Sequence, residues 1–203
     1  MSDPIRPDPA LTGAELLAGL MAEWGAGPVF HVPGEGALEL IEALDRRGAA
    51  LMTCRHEGGM AFMAQAAGQA TGRPGLAVVG RAPGALNAAL ALHTAFTDGA
   101  PLVLIVGQAS ERQSGREAFL GADFVQSLQP LTKWVGECRD AARLPELFAR
   151  AWGTALSGRR GPVALIVAED VWHQRVPAPV ALAAPRVEAA AVSIDFPRER
   201  AQV

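Results

Sequence analysis

The chain is poor in several residue types, and each shortage excludes a class of protein. Its two cysteines, Cys54 and Cys138, can form at most one disulfide, and no segment has the pattern of a secretory signal. The longest purely apolar stretch beside a predicted strand, residues 102–106, is far too short to cross a bilayer. We therefore expect free thiols, a cytoplasmic location and no membrane partner.

An excess of charge of one sign is also lacking. The 18 basic and 21 acidic residues leave a net charge of −3, and the arginines are scattered along the chain. Only Lys133 is a lysine, which we interpret as a compositional bias of the lineage. Because a surface that binds a polyanion needs a concentrated positive patch, we expect no nucleic acid as partner. With 50% hydrophobic residues among 203, the chain suits one folded domain with a sizeable core.

Apolar runs alternate with helical patterns along the chain. Residues 102–106 are apolar on both faces, which is typical of a central parallel strand covered by helices on each side. The repetition of strand, turn and helix predicts a three-layer α/β/α fold with a mostly parallel six-stranded sheet. Strands are predicted at 29–32, 49–54, 76–79, 102–106, 134–138 (an edge strand) and 163–167, and helices at 12–24, 37–44, 59–70, 85–96 and 145–156.

Proline-rich segments mark both ends of the predicted domain. Residues 1–11 contain three prolines and are predicted to be a disordered leader. Residues 12–176 form the predicted folded domain. Residues 177–203, which are rich in proline and alanine, read as an interdomain linker towards a missing central domain. We therefore expect a fragment of a longer protein or a shortened one.

The turns after the strands are the candidate ligand loops. In parallel sheets, ligands bind beyond the carboxyl ends of the strands, here the loops 33–36, 55–58, 80–84 and 107–121. The first turn is no dinucleotide fingerprint, since Glu39 replaces the third glycine, and the turn 80–84 lacks the Gly-Lys-Ser/Thr of a phosphate loop. No histidine or cysteine pair has metal-ligand spacing, so no metal site is predicted.

Glu57 is the candidate catalytic residue. It follows a predicted strand and begins a helix rich in glycine and alanine, which would let a flat ligand approach the backbone. The simpler interpretation is a carboxylate favoured by a helix N-terminus, worth under about 1 kcal/mol. The alternative is a partly buried acid that can hold or transfer a proton at neutral pH. We interpret its neighbour His56 as a surface or capping residue rather than a ligand contact.

A series of short motifs adds a specific resemblance. They lie in register over residues 12–172: Val29-Phe30-His31-Val32-Pro33-Gly34-Glu35, Cys54-Arg55-His56-Glu57-Gly58-Gly59, Ala70-Thr71-Gly72-Arg73-Pro74-Gly75, Arg81-Ala82-Pro83-Gly84-Ala85-Leu86-Asn87, Asp98-Gly99-Ala100-Pro101, Gly107-Gln108, Arg116-Glu117-Ala118-Phe119, Thr132-Lys133-Trp134 and Gly161-Pro162-Val163. In this order and spacing the chain resembles the N-terminal, pyrimidine-binding (PYR) domain of thiamine-diphosphate enzymes of the acetolactate-synthase type.

The resemblance implies a reaction and a role for each motif. In this family the matching glutamate hydrogen-bonds N1′ of the cofactor's aminopyrimidine ring, so the resemblance implies that Glu57 favours the imino tautomer of thiamine diphosphate. The cofactor then acts as an electron sink for decarboxylation or carboligation of a 2-keto acid. The implied cofactor contacts are Pro33, Gly34, Glu57, Pro83, Gly84 and Asn87. The implied substrate pocket contains Glu35, Gly80, Arg81, Phe119 and Leu120; for Glu35 and Arg81 the equal alternative is a solvated turn carboxylate and a surface arginine.

The resemblance also implies what the chain lacks. In this family the diphosphate and Mg²⁺ bind a later domain, whose metal motif begins Gly-Asp-Gly and ends in asparagine. Here Thr97 stands before Asp98-Gly99, and the only asparagine, Asn87, precedes them. We therefore expect inactivity without a diphosphate-binding domain, supplied in cis or in trans. The family's sites lie between subunits, which implies a homodimer or homotetramer; FAD is possible in such enzymes but is not predicted.

Departures from the family pattern leave alternatives open. Leu120-Gly121 replace a Gln-Glu pair whose glutamine faces the substrate, Gly80 replaces Ser/Thr or His, and Ala82 replaces glycine. The leading hypothesis is an N-terminal fragment of a synthase or decarboxylase. The second is a complete small PYR subunit of a two-chain decarboxylase. The third is a non-catalytic module that dimerises or binds a nucleotide-like ligand.

Overall fold

A central parallel sheet organises the chain. The computed structural model describes residues 10–177 and 183–185. Its strands are β1 Leu11–Thr12, β2 Val29–His31, β3 Leu51–Thr53, β4 Gly75–Val79, β5 Leu102–Gln108, β6 Val135–Cys138, β7 Pro162–Ala168 and β8 Arg175–Val176. Its helices are α1 Gly13–Glu23, α2 Leu38–Arg46, α3 Glu57–Thr71, α4 Arg81–Asn87, α5 Ala89–Asp98, α6 Phe124–Leu128 and α7 Leu144–Leu156.

The order of the strands matches the expectation of a parallel sheet. Six strands lie in the order β3-β2-β4-β5-β7-β6, and every neighbouring pair is parallel. The apolar strand β5 is central, paired with β4 on one side and β7 on the other. Strand β6 lies at an edge, as predicted. The three-layer α/β/α prediction is confirmed, since helices cover both faces of this sheet.

One face of the sheet carries a core rich in large and aromatic side chains. Helices α1, α2 and α7 pack there against alternate residues of the strands. The Trp24 and Phe148 rings stack at 5.0 Å, and Trp152 meets both edge-on at 5.7 and 5.9 Å. Such pairs add stability beyond the burial of their area. We call this the aromatic face.

The opposite face is built from small side chains. Helices α3, α4, α5 and α6 cover it, and the strand residues between those of the first core point towards them. The helix residues buried there are mostly alanines, such as Ala61, Ala64, Ala91 and Ala95, all fully buried. Small side chains let a helix lie close to the sheet. We call this the small-residue face. Helix α3 lies on it, and Glu57 is the first residue of that helix.

One predicted helix start is wrong because of proline chemistry, and another needs only a small extension. The third helix begins at Glu57, as expected for that residue, two residues before the helical pattern traced from residue 59, and the His56 side chain caps it. The helix predicted from residue 85 begins at Arg81 and is divided at Ala88. Pro83 lies within its first turn, where a backbone N–H has no helical acceptor to lose. The turn 80–84 is thus mostly the first turn of α4.

The two ends of the domain lie side by side. Strands β1 and β8 pair antiparallel, Leu11 with Val176, and a complete capping box between Thr12 and Glu15 starts α1 as predicted. The rest of the predicted leader, residues 1–9, and the linker residues 178–182 and 186–203 lie outside the described residues. No helix in the described part of the chain is long and apolar enough to cross a membrane.

Candidate active site

Glu57 is the first residue of α3, at the carboxyl edge of the sheet. The ring nitrogen Nδ1 of His56 accepts a hydrogen bond of 3.1 Å from the Gly58 amide and so caps the helix. The capping role predicted for His56 is therefore confirmed. The side chain of Glu57 is half-buried. A helix N-terminus favours a carboxylate at this place.

Two further residues of the predicted cofactor set surround the Glu57 carboxylate. The amide Nδ2 of Asn87, at the end of α4, donates a hydrogen bond of 3.0 Å to Glu57 Oε2. The other oxygen, Oε1, lies 3.3 Å from where a Cβ on Gly84 would stand. A side chain at residue 84 would therefore press on the carboxylate. The short helix α4 therefore holds one oxygen through Asn87 and, because residue 84 is glycine, does not press on the other.

The two glycine turns meet at the same edge of the sheet. A Cβ on Gly80 would lie 2.7 Å from the Glu35 carbonyl oxygen and 3.0 Å from Gly34 Cα. Backbone therefore packs on backbone, and a side chain at residue 80 would push the two turns apart. Pro33 and Pro83 are exposed on these turns. The structure thus brings the predicted cofactor turns together, and their contact with a cofactor stays a prediction.

Arg81 is buried, so the interpretation of a surface arginine is wrong. Its side chain is 9% exposed and lies between Glu35 and Glu169. Nη2 reaches Glu169 Oε2 at 2.8 Å, and Nη1 reaches Glu35 Oε2 at 3.3 Å. Glu35 itself is 62% exposed, as a solvated turn carboxylate would be. The two carboxylates satisfy the positive charge of the guanidinium.

Phe119 and Leu120 lie in the loop after β5 and approach the same helix. Arg81 Nη1 donates to the Phe119 carbonyl at 2.8 Å, and the Ala82 amide donates to the Leu120 carbonyl at 3.0 Å. Both side chains point away from the core, at 69% exposure for Phe119 and 41% for Leu120. All five predicted substrate-pocket residues are therefore at one edge, with two apolar side chains facing outward.

Sequence reasoning missed Glu169 and Asp170, which follow β7. Glu169 pairs with Arg81, while Asp170 Oδ1 accepts a hydrogen bond of 3.1 Å from the Glu111 amide. Their positions in the sequence could have identified them as residues of this edge. Both residues come directly after a buried strand whose carboxyl end meets the edge that the other loops share.

A buried histidine supports the turn that follows β2. His31 Nε2 lies 3.0 Å from Thr53 Oγ1 on the neighbouring strand β3, and Nδ1 has no polar partner among the described residues. Burial lowers the pKa of His31, because the charged imidazolium is disfavoured away from water. A neutral imidazole is therefore favoured two residues before Pro33.

Other groups at this edge do not gather into a metal site. Within residues 10–177 and 183–185, no three His, Cys, Asp or Glu residues are placed to hold a metal ion.

A cavity of about 520 Å³ lies under the loop after β5, beside the ends of β6 and β7. Its polar lining includes Gln108, Glu111, Glu137 and Arg139, and it does not include Glu57.

The amino-acid sequence of this chain is similar to those of known proteins. The profile of the family described as "Thiamine pyrophosphate enzyme, N-terminal TPP binding domain" matches residues 11–128. Acetolactate synthase of Bacillus subtilis (strain 168) is 35% identical over 162 residues, which are 80% of this chain and 28% of that protein. Chloroplastic acetolactate synthase of Arabidopsis thaliana is 33% identical, over 83% of this chain and 25% of its own length. The acetolactate synthase large subunit of Lactococcus lactis subsp. lactis (strain IL1403) is 32% identical, over 82% and 29%.

The fold and the matched residues define an α/β domain of the kind that binds thiamine pyrophosphate. The chain belongs to the N-terminal domain family of thiamine pyrophosphate enzymes, with acetolactate synthases among its relatives. The predicted resemblance is therefore confirmed. The chain spans between 25% and 29% of the length of these three relatives.

Proposed function

We propose that this chain supplies the pyrimidine-binding half of a thiamine-diphosphate site for decarboxylation or carboligation of a 2-keto acid. The observation that carries the proposal is the Glu57 carboxylate. It stands at the start of α3, half-buried, with one oxygen held by Asn87 and the other close to Gly84, where no side chain presses on it. A second domain that binds the diphosphate and Mg²⁺, in cis or in trans, would complete the site.

The residues present fit a flat heterocycle with a ring nitrogen. A side chain at Gly84 would fill the space beside Glu57 Oε1, and one at Gly80 would collide with the turn at Glu35. The absence of a side chain at residue 84 therefore leaves the Glu57 carboxylate undisturbed, and no hydrogen bond within the described residues occupies Oε1, so that oxygen can meet a ring nitrogen. Glu57 would meet the ring nitrogen, and Pro33, Gly34 and Pro83 would form the surrounding surface.

The protein's own part in the chemistry is to hold a proton and to orient a ring. Bound thiamine diphosphate would supply the electron sink that decarboxylation of a 2-keto acid requires. Glu57 would share a proton with the ring nitrogen through its free oxygen. Asn87 would keep the carboxylate in place by its 3.0 Å hydrogen bond, so that little reorganisation is needed when charge shifts.

The edge beside Glu57 favours an apolar substrate side chain. Phe119 and Leu120 present carbon atoms to solvent, and Leu120 offers no hydrogen-bond donor. Arg81 is already paired with Glu169 and Glu35, so it has no net charge to offer the carboxylate of a keto acid. Recognition of that carboxylate would fall to another domain or subunit.

An exposed apolar surface supports self-association through the small-residue face. Helices α3 and α5 pack together, and large apolar side chains project from this region into solvent. They are Met52, Phe62, Met63, Leu86, Leu90 and Phe96. So many exposed large apolar side chains in one region of the fold favour an interaction surface there. A homodimer or homotetramer in the cytoplasm is the assembly we propose, with Glu57 near the subunit boundary.

The test is Glu57→Gln in the assembled enzyme, that is, the chain together with its diphosphate-binding domain. Release of CO₂ from pyruvate and 2-oxobutyrate is measured with thiamine diphosphate and Mg²⁺. We expect turnover to fall by about 100-fold or more, since proton transfer by a positioned acid contributes roughly that much. Glu23→Gln, an exposed carboxylate on α1, is the matched control. Undiminished turnover in Glu57→Gln would eliminate the proposed role.

A binding measurement separates this chain from the complete site. Calorimetric titration of the isolated chain with thiamine diphosphate and Mg²⁺ is expected to show weak binding or none, because the diphosphate and metal contacts belong to the other domain. Micromolar affinity would contradict the proposal of a half-site.

A further inference from the structure

The loop after β5 is tied down at its base. We call residues 109–123 the strap. Gln108 Nε2 donates to the Ala122 carbonyl at 2.9 Å, which joins the two ends of the strap. Asp170, after β7, accepts from the Glu111 amide at 3.1 Å. These contacts fix where the strap leaves β5 and where it runs into α6. They do not reach Phe119 and Leu120.

The far part of the strap is held by the first turn of α4. Arg81 Nη1 donates to the Phe119 carbonyl at 2.8 Å, and the Ala82 amide donates to the Leu120 carbonyl at 3.0 Å. Gly84, two residues further along this helix, lies against the Glu57 carboxylate. The same short helix therefore contacts both the strap and the proposed catalytic residue.

Arg81 joins three separate strand ends through one guanidinium. It reaches Glu35 after β2, Phe119 in the strap after β5, and Glu169 after β7. Its Nε atom is buried without a hydrogen-bond partner among the described residues. Removing the arginine alone would leave the half-buried Glu169 carboxylate and the exposed Glu35 carboxylate without their cationic partner.

The backbone of the strap needs to be held. Glu117 and Leu120 are the two non-glycine residues with positive φ in the described chain, at 51° and 56°. This left-handed conformation is unfavourable for a residue with a side chain, and leucine does not favour it. Such residues persist only where their surroundings constrain them. The bonds from Arg81 and Ala82 fall on Phe119 and Leu120 themselves.

We propose that Arg81 is a positioning residue: its guanidinium fastens the strap across the carboxyl edge and so fixes Phe119 and Leu120 beside the Glu57 site. That these two side chains meet a substrate rests on the proposed function. The fastening itself does not, since it is a property of this chain without cofactor or second domain.

The test compares hydrogen exchange of the strap in the parent chain and in Arg81→Met. We expect the two hydrogen-bonded amides here, Gly121 N–H to the Ala118 carbonyl and Ala82 N–H to the Leu120 carbonyl, to exchange about tenfold faster or more in the variant, the effect of losing a hydrogen bond from a charged donor. Trypsin should also cut faster at Arg112 and Arg116, which are exposed on the strap. Arg46→Met is the control, since Arg46 pairs with Glu42 on the surface of α2.

A double variant separates positioning from stability. Replacing Arg81 together with its closer and less exposed partner, Arg81→Met with Glu169→Leu, leaves only the exposed Glu35 carboxylate unpaired, so the Tm should return towards that of the parent. The strap should stay as unprotected as in Arg81→Met, because the Phe119 carbonyl still has no donor. Strap exchange equal to the parent in Arg81→Met, or restored together with Tm in the double variant, would overturn the proposal. Neither readout involves turnover, so failure of the thiamine proposal would leave both results unchanged.

Discussion

The two faces of the sheet solve the burial of apolar surface in different ways. On the aromatic face, Trp24, Phe148 and Trp152 form one cluster inside the domain. On the small-residue face, the helices bury alanines against the sheet and direct Phe62 and Leu90 towards solvent. The first face is complete within the domain. The second face leaves large apolar side chains exposed, and it is the face that carries Glu57.

This difference has a consequence for function. A site between subunits needs helices that lie close to the sheet and offer apolar contacts outward. The buried residues Ala61, Ala64 and Ala91 let the helices lie close to the sheet, and the exposed large side chains offer the apolar contacts. Large internal side chains would have thickened the layer and hidden the apolar surface. If the proposed self-association uses the small-residue face, internal stability and assembly depend on opposite faces of the sheet.

The largest effect is expected from the aromatic face. Phe148→Ala removes a fully buried ring that contacts both Trp24 and Trp152. We expect the free energy of unfolding to fall by about 3–5 kcal/mol, through lost burial and the cavity left behind. Urea unfolding of the isolated chain measures this. A loss below about 1 kcal/mol would show that the aromatic cluster does not carry the stability assigned to it.

The small-residue face should instead resist enlargement. Ala91→Leu places three more carbon atoms on a fully buried position of α5. We expect a loss of about 1–3 kcal/mol in the free energy of unfolding, because overpacking forces side chains off their rotamers. The comparison breaks if thermal unfolding finds Ala91→Leu as stable as the parent.

The two thiols offer a pH test of the same contrast. Cys138 is buried in the aromatic-face core, and burial raises the pKa of its thiol to about 11. Because the folded state favours the neutral thiol, its stabilisation is complete below pH 9 and is lost between pH 9 and pH 11, by about 1.4 kcal/mol per pH unit. We expect Cys138→Ala to lose stability less steeply over this interval. Urea unfolding of both proteins at two pH values checks it; equal slopes would contradict it.

Thiol labelling at pH 8 sharpens that comparison without unfolding. Cys54 is half-buried next to the small-residue face, and both cysteines are free. We expect a disulfide reagent to label Cys54 well before Cys138, since reaction needs access to the sulfur. Labelling at equal rates would mean that the aromatic face opens as readily as the other.

The smallest effect on stability, yet a large one on assembly, is expected at Leu90. This side chain is 67% exposed, directly beside buried Ala91. Leu90→Glu should change the free energy of unfolding by less than about 0.5 kcal/mol, as surface substitutions do. It should shift the chain towards monomer in light scattering, because a charge is placed in the proposed contact. The same oligomeric state in parent and variant would argue against this face as the interface.

Much of the fold could be predicted from local patterns. The apolar residues of β5 predict a central strand, and Thr12 with Glu15 predicts the capping box that starts α1. The start of α4 was predicted wrongly, because Pro83 was taken to lie in a turn before the helix. The resemblance in the motifs predicts that Glu57, Gly84 and Asn87 belong to one cofactor site. The structure places these three residues next to one another.

The partners of Arg81 could not be predicted in the same way. Glu169 is 88 positions further along the chain. It meets Arg81 because the strand order places β4, β5 and β7 side by side, so that their carboxyl ends share one edge. Its place after β7 could have put Glu169 at this edge, but no periodicity or spacing in the sequence shows that it is Arg81 that Glu169 meets there. The burial of Arg81 follows from the same contacts.

The sequence by itself determined the alternation of strands and helices, the apolar pattern of the sheet, the helix caps and the family, because these depend on neighbours a few residues apart or on short motifs in order. Only the tertiary structure decided that Arg81 is buried between two carboxylates, that the strap is fastened to α4, and that large apolar side chains face outward from α3 and α5. These depend on which distant segments pack together, and packing is a property of the whole chain.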